Sequence, residues 1–173
     1  DLELLNGMEI SEACSHLKDV YFPKYYPEYS NNKILVMDYI RGRHLKEYLD
    51  TNPSQEEKNS VAQALWDFYE FQLHKLKSIH ADPHPGNFRV LSDGRLGVLD
   101  FGACNRLPNG FPEPFKRLLR NALEGDAIAL YDGFKKDGFI LPDVDVDPEL
   151  VLDFLLPLVE PLRTEHFAYT REW

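Results

Sequence analysis

The chain has 173 residues, 43% of them apolar and 28% charged. That is an ordinary globular balance, which excludes wholesale disorder and leaves enough chain to bury a core. Lys and Arg number 19 against 29 Asp and Glu, a formal charge of −10, so nucleic acid is not an expected partner, because neutralising phosphates needs clustered basic side chains. Cys14 and Cys104 form no C-x-x-C pair, which argues against a disulfide framework or a zinc knuckle and suits a reducing compartment. No signal peptide is visible, and the opening Asp1-Leu2-Glu3 reads as a fragment or a processed product. The most apolar run, Val151–Val159, contains Asp153 and Pro157 and is far short of the roughly 20 residues a bilayer span needs.

In chain order, Asp1–Leu17 reads as the end of a helix, with Leu5, Met8 and Glu12 at helical spacing. Tyr25–Tyr29 and Lys33–Tyr39 read as two strands around the turn residues Ser30-Asn31-Asn32. Arg41-Gly42 ends the second strand, and His44–Leu49 reads as a short helix. Ser54-Gln55-Glu56-Glu57 matches a capping box and starts the longest helix, expected to run to about Lys77. Its buried stripe is expected at Val61, Leu65, Phe68 and Phe71 or Gln72, with Trp66 also read as core. A polar loop follows, His80–Asn87, then two short strands, Phe88–Leu91 and Leu96–Leu99, joined by a turn containing Asp93-Gly94. Beyond Pro112, helices are predicted at Glu113–Leu123, Asp126–Lys136 and Pro148–Val159. Asp143, Asp145 and Asp147 alternate like a calcium loop but lack the glycine and distal glutamate of one, so they read as a solvated acidic loop. The fold class is α+β with a helical bulk.

The chemistry sits at His80-Ala81-Asp82-Pro83-His84-Pro85-Gly86-Asn87 and at Asp100-Phe101-Gly102. Asn87 precedes one strand of the predicted hairpin and Asp100 follows its partner, so the hairpin returns the two to one end. A carboxamide and a carboxylate are hard oxygen ligands suited to Mg²⁺ beside phosphate. Asp82 lies in the same loop, where a carboxylate can orient an attacking hydroxyl or water. Together these form H-x-D-x-x-x-x-N followed by D-F-G, the two halves of a kinase phosphoryl-transfer site. Three other readings stay open. His80, Asp82 and His84 alternate as zinc ligands do, small-molecule kinases of the aminoglycoside and choline type carry a similar loop, and a pseudokinase scaffold would bind nucleotide without transferring phosphate.

The loop H-A-D-P-H-P-G-N resembles that of the ABC1/ADCK/UbiB (AarF) family of atypical kinase-like proteins. Asn6-Gly7-Met8-Glu9, the run Phe22–Pro27 and Lys33–Gly42 share the resemblance. It implies a protein-kinase-like fold: residues 1–40 as the end of a small lobe with the hinge strand, and 41–173 as a large lobe with catalytic loop, metal loop and C-terminal helices. It implies Asn87 and Asp100 as metal ligands, Asp82 in the place of the catalytic base and His80 as the loop's structural histidine. Met37 would stand at the back of an adenine pocket, with the backbone of Asp38 and Ile40 bonding the adenine edge. Glu3 would match the helix glutamate that pairs with a nucleotide-binding lysine. The family's alanine-rich loop, strand lysine and K-x-G-Q segment are not in the sequence.

The resemblance therefore implies ATP and Mg²⁺ as cofactors and a conditional kinase or ATPase supporting isoprenoid quinone (ubiquinone-type) biosynthesis. Quinone-biosynthesis proteins or lipid are the expected partners besides nucleotide. The expected location is cytoplasmic, with peripheral contact at the inner membrane face; the helix around Val151–Val159, with Phe154, Leu155 and Leu158, is the candidate patch. Cys104 reads as a small buried thiol.

Overall fold

A computed structural model describes residues 2–170, which build two units, 2–110 and 111–170, each with its own core. In the first unit, Leu2–Ala13 forms helix α1. Its buried residues are Asn6, Gly7 and Ile10, while Leu5 is 61% and Met8 41% exposed. The helix falls within the predicted Asp1–Leu17, and Leu5, Met8 and Glu12, the residues at helical spacing, lie on its exposed side. The reason is tertiary: Asn6 and Gly7 are taken up by Phe101 and by Tyr25, as described below.

Tyr25–Tyr29 and Lys33–Tyr39 do not form two regular strands. They pair only at Tyr25 with Met37 and Asn31 with Ile34, and Pro27–Tyr29 is a 3₁₀ turn. Pro27 has no N–H to give a ladder. The Tyr26 N–H donates to Val36 O and the Asp38 N–H to Lys24 O, each at 2.9 Å, so the two segments still run side by side. The pairing of this segment ends at Asp38, before Arg41-Gly42, and Gly42–His44 is a separate strand, β2.

Helix α2 is Leu45–Leu49, and α3 is Gln55–Phe71. Ser54 caps α3 through the predicted box: its hydroxyl accepts from the Glu57 N–H at 3.2 Å and the Glu57 carboxylate accepts from the Ser54 N–H at 2.7 Å, a device worth about 1 kcal/mol. The buried stripe is Val61, Ala64 and Phe68, continued by Gln72. Leu65 and Phe71 are only partly buried and Trp66 is 48% exposed. After Phe71 the helix widens into a π turn, Gln72–Leu76, and stops at Lys77 in the left-handed region.

Val20–Tyr21 (β1), Gly42–His44 (β2), Phe88–Leu91 (β4) and Leu96–Val98 (β5) form a four-stranded sheet in the order β1-β5-β4-β2. The hairpin β4–β5 pairs Phe88 with Val98, Arg89 with Gly97 and Val90 with Leu96. It turns at Gly94, whose φ of +87° suits glycine. Ser78–His80 (β3) pairs antiparallel with Cys104–Arg106 (β6). Phe88, Val90, Leu96 and Val98 join Ile10, Phe68 and Phe101 in the core.

The second unit holds Glu113–Glu124 (α4), Ala127–Lys136 (α5) and Pro148–Val159 (α6). Gly125 ends α4 at φ +74° and the Asp126 side chain caps α5 on the Ala129 N–H. Leu118, Ala122, Leu130, Val151, Leu152 and Val159 form its core. The acidic loop contributes ordinary structure: Asp145 accepts from the Tyr131 hydroxyl and Asp147 caps α6. Leu150, Phe154, Leu158 and Leu162 are exposed at four-residue spacing, Phe154 by 74%, whereas Leu155 packs on the core. Among the described residues, no helix is long and apolar enough to cross a membrane.

Candidate active site

The site is built on both ends of a buried histidine. His80 closes β3 and is 1% exposed, within ring contact of Phe68, Tyr69, Phe88 and Phe101. Its Nδ1 lies 3.3 Å from the Asp82 N–H and its Nε2 3.3 Å from Leu99 O. One tautomer serves both: Nδ1 accepts and Nε2–H donates. The ring thus ties the start of the Asp82 loop to the strand end that precedes Asp100. The His80 N–H donates to the Gln72 side-chain oxygen at 2.8 Å, and the Gln72 amide donates to Phe68 O at 3.2 Å. The π turn is what brings that buried carboxamide to the loop. Sequence reasoning missed Gln72 as a site support; its only signal was a polar residue on the apolar stripe.

With both ring nitrogens engaged, His80 has none left for zinc, and the His84 Nδ1 accepts from the Gly86 N–H at 3.0 Å. Among the described residues no group of three His, Cys, Asp or Glu is gathered as a metal site. The alternating-histidine reading finds no support in this geometry.

Asp82 and Asn87 meet directly. The Asn87 Nδ2 donates to Asp82 Oδ2 at 3.0 Å and to Asp82 O at 3.2 Å. This fixes the carboxamide so that its Oδ1 remains as an acceptor. The Leu99 N–H donates to Asn87 O at 2.8 Å, which extends the β4–β5 ladder by one step and places Asn87 beside the residue before Asp100. Asp100 has φ +60°, a costly setting for a side chain that is not glycine. Its Oδ1 accepts from the Gly102 N–H at 3.0 Å, leaving Oδ2 uncommitted. One amide oxygen and one carboxylate oxygen, both uncommitted among the described residues and on adjacent strand ends, fit a hard cation such as Mg²⁺.

Helix α1 backs the Asp100–Gly102 turn. The Asn6 Nδ2 donates to Phe101 O at 3.1 Å from a buried position. A Cβ on Gly7 would stand 2.5 Å from the Tyr25 ring, so glycine lets that ring in. Glu9 pairs with Arg106 on β6. Asn6 and Glu9 thus dock residues 101–106 and Gly7 admits Tyr25, roles invisible without the partner segments. Glu3 lies on the same helix, its carboxyl carbon 3.9 Å from the point where a Cβ on Gly102 would be. Burial, and then the neighbouring Asp100 charge, push the Glu3 carboxyl above its usual range. The Cys104 thiol, half-buried, donates to Phe101 O at 3.3 Å and is pushed up to about 11 by burial. Tyr69 lies near Asp82 and is pushed up to about 12, first by burial and then by that charge; its hydroxyl is buried without a partner among the described residues.

The other expected residues lie on the segment that ends at β2. Met37 bridges to Tyr25, the Asp38 carboxylate accepts from the Tyr26 hydroxyl at 2.8 Å, and Ile40 is buried against Gly97. Because the Asp38 N–H is bonded to Lys24 O, an adenine contact at Asp38 would fall to its carbonyl. A cleft of about 960 Å³ lies elsewhere in this unit: it surrounds the hairpin tip, Ser92–Arg95, with Arg41 and Arg43, and contains none of Asp82, Asn87 and Asp100.

The mixed fold and the arrangement of catalytic-type loop, hairpin and D-F-G turn are those of the kinase-like class. Within that class the chain belongs to the ABC1 atypical kinase-like domain family, whose model matches residues 1–132. It is similar to a chloroplastic aarF domain-containing protein kinase of Arabidopsis thaliana, 32% identical over 143 residues, which are 83% of this chain and 20% of that protein. The AarF domain-containing kinase 1 of Drosophila melanogaster is 28% identical over 138 residues, covering 75% of this chain and 27% of that protein. The chain thus spans about a fifth to a quarter of such relatives. Rv3197 from Mycobacterium tuberculosis, solved in complex with erythromycin, superposes with a TM-score of 0.72 at 29% identity, covering 99% of this chain and 43% of that one.

Proposed function

We propose that this chain forms most of the phosphoryl-transfer site of an ABC1-type kinase or ATPase that uses ATP with Mg²⁺. The observation that carries the reading is the junction of Asp82, Asn87 and the Asp100 turn at one end of the β4–β5 hairpin, each with an oxygen left over after its structural bonds. Asn87 Oδ1 and Asp100 Oδ2 would hold the cation. Bound Mg²⁺-ATP supplies the phosphoryl group and neutralises the charge on its oxygens. Asp82, held by Asn87 through one carboxylate oxygen, has the other to orient an acceptor hydroxyl or water and to take its proton. His80 keeps the loop in register with Asp100 and does no chemistry of its own. Asp38 O and the Ile40 backbone would receive the adenine, with Met37 behind it. Glu3, beside Asp100, would align a nucleotide-binding lysine.

The family points to isoprenoid quinone biosynthesis as the process served, with quinone-biosynthesis proteins or lipid as partners and a location at the cytoplasmic face of the inner membrane. The exposed stripe of Leu150, Phe154, Leu158 and Leu162 supports membrane contact through apolar rather than charged groups, since an acidic chain is repelled by anionic lipid. Titration of the intact protein with Mg-ATP tests the site. Asn87→Ala and Asp100→Asn should each abolish Mg²⁺-dependent binding with the fold retained; unchanged affinity in both overturns the assignment. Binding without turnover would make the protein a nucleotide-binding scaffold.

A further inference from the structure

Strand alternation gives the β4–β5 hairpin two faces. Phe88, Val90, Leu96 and Val98 face the core. Arg89, Leu91 and Gly97 share the opposite face: a Cβ on Gly97 would point between Leu91 Cδ1 at 2.9 Å, Ile40 Cγ2 at 3.0 Å and Arg89 Cβ at 3.5 Å. This second face therefore carries Ile40, from the segment assigned to the base, at its middle. Asn87, assigned to the metal, is at its end. A nucleotide reaching from one to the other must lie across it.

Arg89 stands between the two. It is paired with Gly97, on which Ile40 rests, and is two strand residues from Asn87, about 7 Å. That spacing is of the order a sugar spans between base and phosphates. An arginine at this place is unexpected, because a floor beneath a base needs only apolar contact. Its guanidinium has five N–H donors, yet among the described residues it makes a single long bond, Nη1 to Gly42 O at 3.4 Å, and Nε is buried with no acceptor. A half-buried guanidinium so little used favours a ligand that brings acceptors, since leaving such donors unpaired is costly.

We propose, resting on the nucleotide reading above, that Arg89 is a nucleotide-binding residue whose guanidinium donates to the ribose hydroxyl oxygens from beneath the site. Arg89 would then set a preference for ribonucleotides, while the Gly42 contact keeps the guanidinium near the end of the base-binding segment.

The test measures the affinity of the intact protein for Mg-ATP and for Mg-2′,3′-dideoxy-ATP, in wild type, Arg89→Met and Arg89→Lys. Wild type should prefer ATP by about tenfold or more, the effect of a charge-assisted hydrogen bond. In Arg89→Met that ratio should fall close to one. Loss of general charge or packing would weaken both ligands alike and leave the ratio unchanged, so the ratio isolates the ribose contact. Arg89→Lys keeps a cation and reports on the ratio where the methionine variant does not fold. A wild-type ratio of one, or an undiminished ratio in the variants, overturns the assignment of Arg89 alone. Failure of wild type to bind either nucleotide overturns the nucleotide reading itself.

Discussion

Replacing Gly7 by alanine sets two effects of opposite sign against each other. In the middle of α1, alanine should stabilise the helix by up to about 1 kcal/mol over glycine. The new Cβ, however, would stand 2.5 Å from Tyr25 Cζ, 2.6 Å from its hydroxyl oxygen and 2.9 Å from Cε2. Those are ring atoms rather than the tip of a flexible chain, and Tyr25 is only 8% exposed and pinned by its pairing with Met37. Overpacking of this kind costs about 1–3 kcal/mol, and a rigid, buried neighbour places it toward the upper end. The net effect should be a destabilisation of about 1–2 kcal/mol, read as a lower urea midpoint by circular dichroism. Because α1 holds Phe101 O through Asn6 and brings Glu3 beside Asp100, weaker Mg-ATP binding should accompany it. Tyr25→Leu opens the space, so adding Gly7→Ala to that variant should cost little more. A Gly7→Ala protein as stable as the parent would refute the packing argument.

Asp82→Asn keeps an oxygen for the Asn87 amide, so ATP affinity should change by less than about tenfold, or 1.4 kcal/mol, while turnover falls about 10²–10⁴-fold; turnover within a few-fold of wild type would make Asp82 a structural residue. Burial pushes the thiol of Cys14 up to about 12 and that of Cys104 to about 11. Unfolded thiols ionise near pH 8.5, so above that pH the unfolded chain binds fewer protons than the folded one, and stability must fall as pH rises. The urea midpoint should therefore drop between pH 7.5 and 9.5, less steeply in a Cys14→Ala, Cys104→Ala protein; a rising midpoint contradicts this. If the α6 stripe contacts a bilayer, liposome flotation of the intact protein should be lost in Phe154→Asp without unfolding, and flotation that survives the change places the contact elsewhere.

The parts of the fold legible in the sequence are those whose signals are local. The β4–β5 hairpin follows from alternation around Asp93-Gly94, and α6 from Asp147, Pro148 and the apolar run to Val159; the structure gives Phe88–Leu91 and Pro148–Val159. The capping box at Ser54 set the start of α3 equally well, and the helix stops at Lys77 as expected; what the sequence does not reveal is the π turn Gln72–Leu76 that brings Gln72 to the His80 backbone. Residues 25–39 have the composition of two strands, but Pro27 has no N–H to give a ladder and Pro27–Tyr29 closes into a 3₁₀ turn. The inward face of α1 was unreadable for a different reason. Asn6 and Gly7 look unlike core residues, and what buries them is Phe101 and Tyr25, remote in sequence. The site was legible in residue types and spacing, since Asp82, Asn87 and Asp100 each precede or follow a recognisable element. What spacing did not show was how they are held: the His80 ring, the Asn87–Asp82 bond and the left-handed turn at Asp100.

The central claim is where the metal-nucleotide sits, and paramagnetic broadening reads that location directly. With Mn²⁺ in place of Mg²⁺ beside ADP, the amide NMR signals of the isotope-labelled intact protein should broaden most at Asp82, Asn87, Phe88 and Asp100–Gly102. Those at the hairpin tip, Asp93–Arg95, at the far end of the strands, should stay sharp. Broadening centred on the tip and its Arg41–Arg43 cleft, or spread without focus over the acidic surface, would contradict the account.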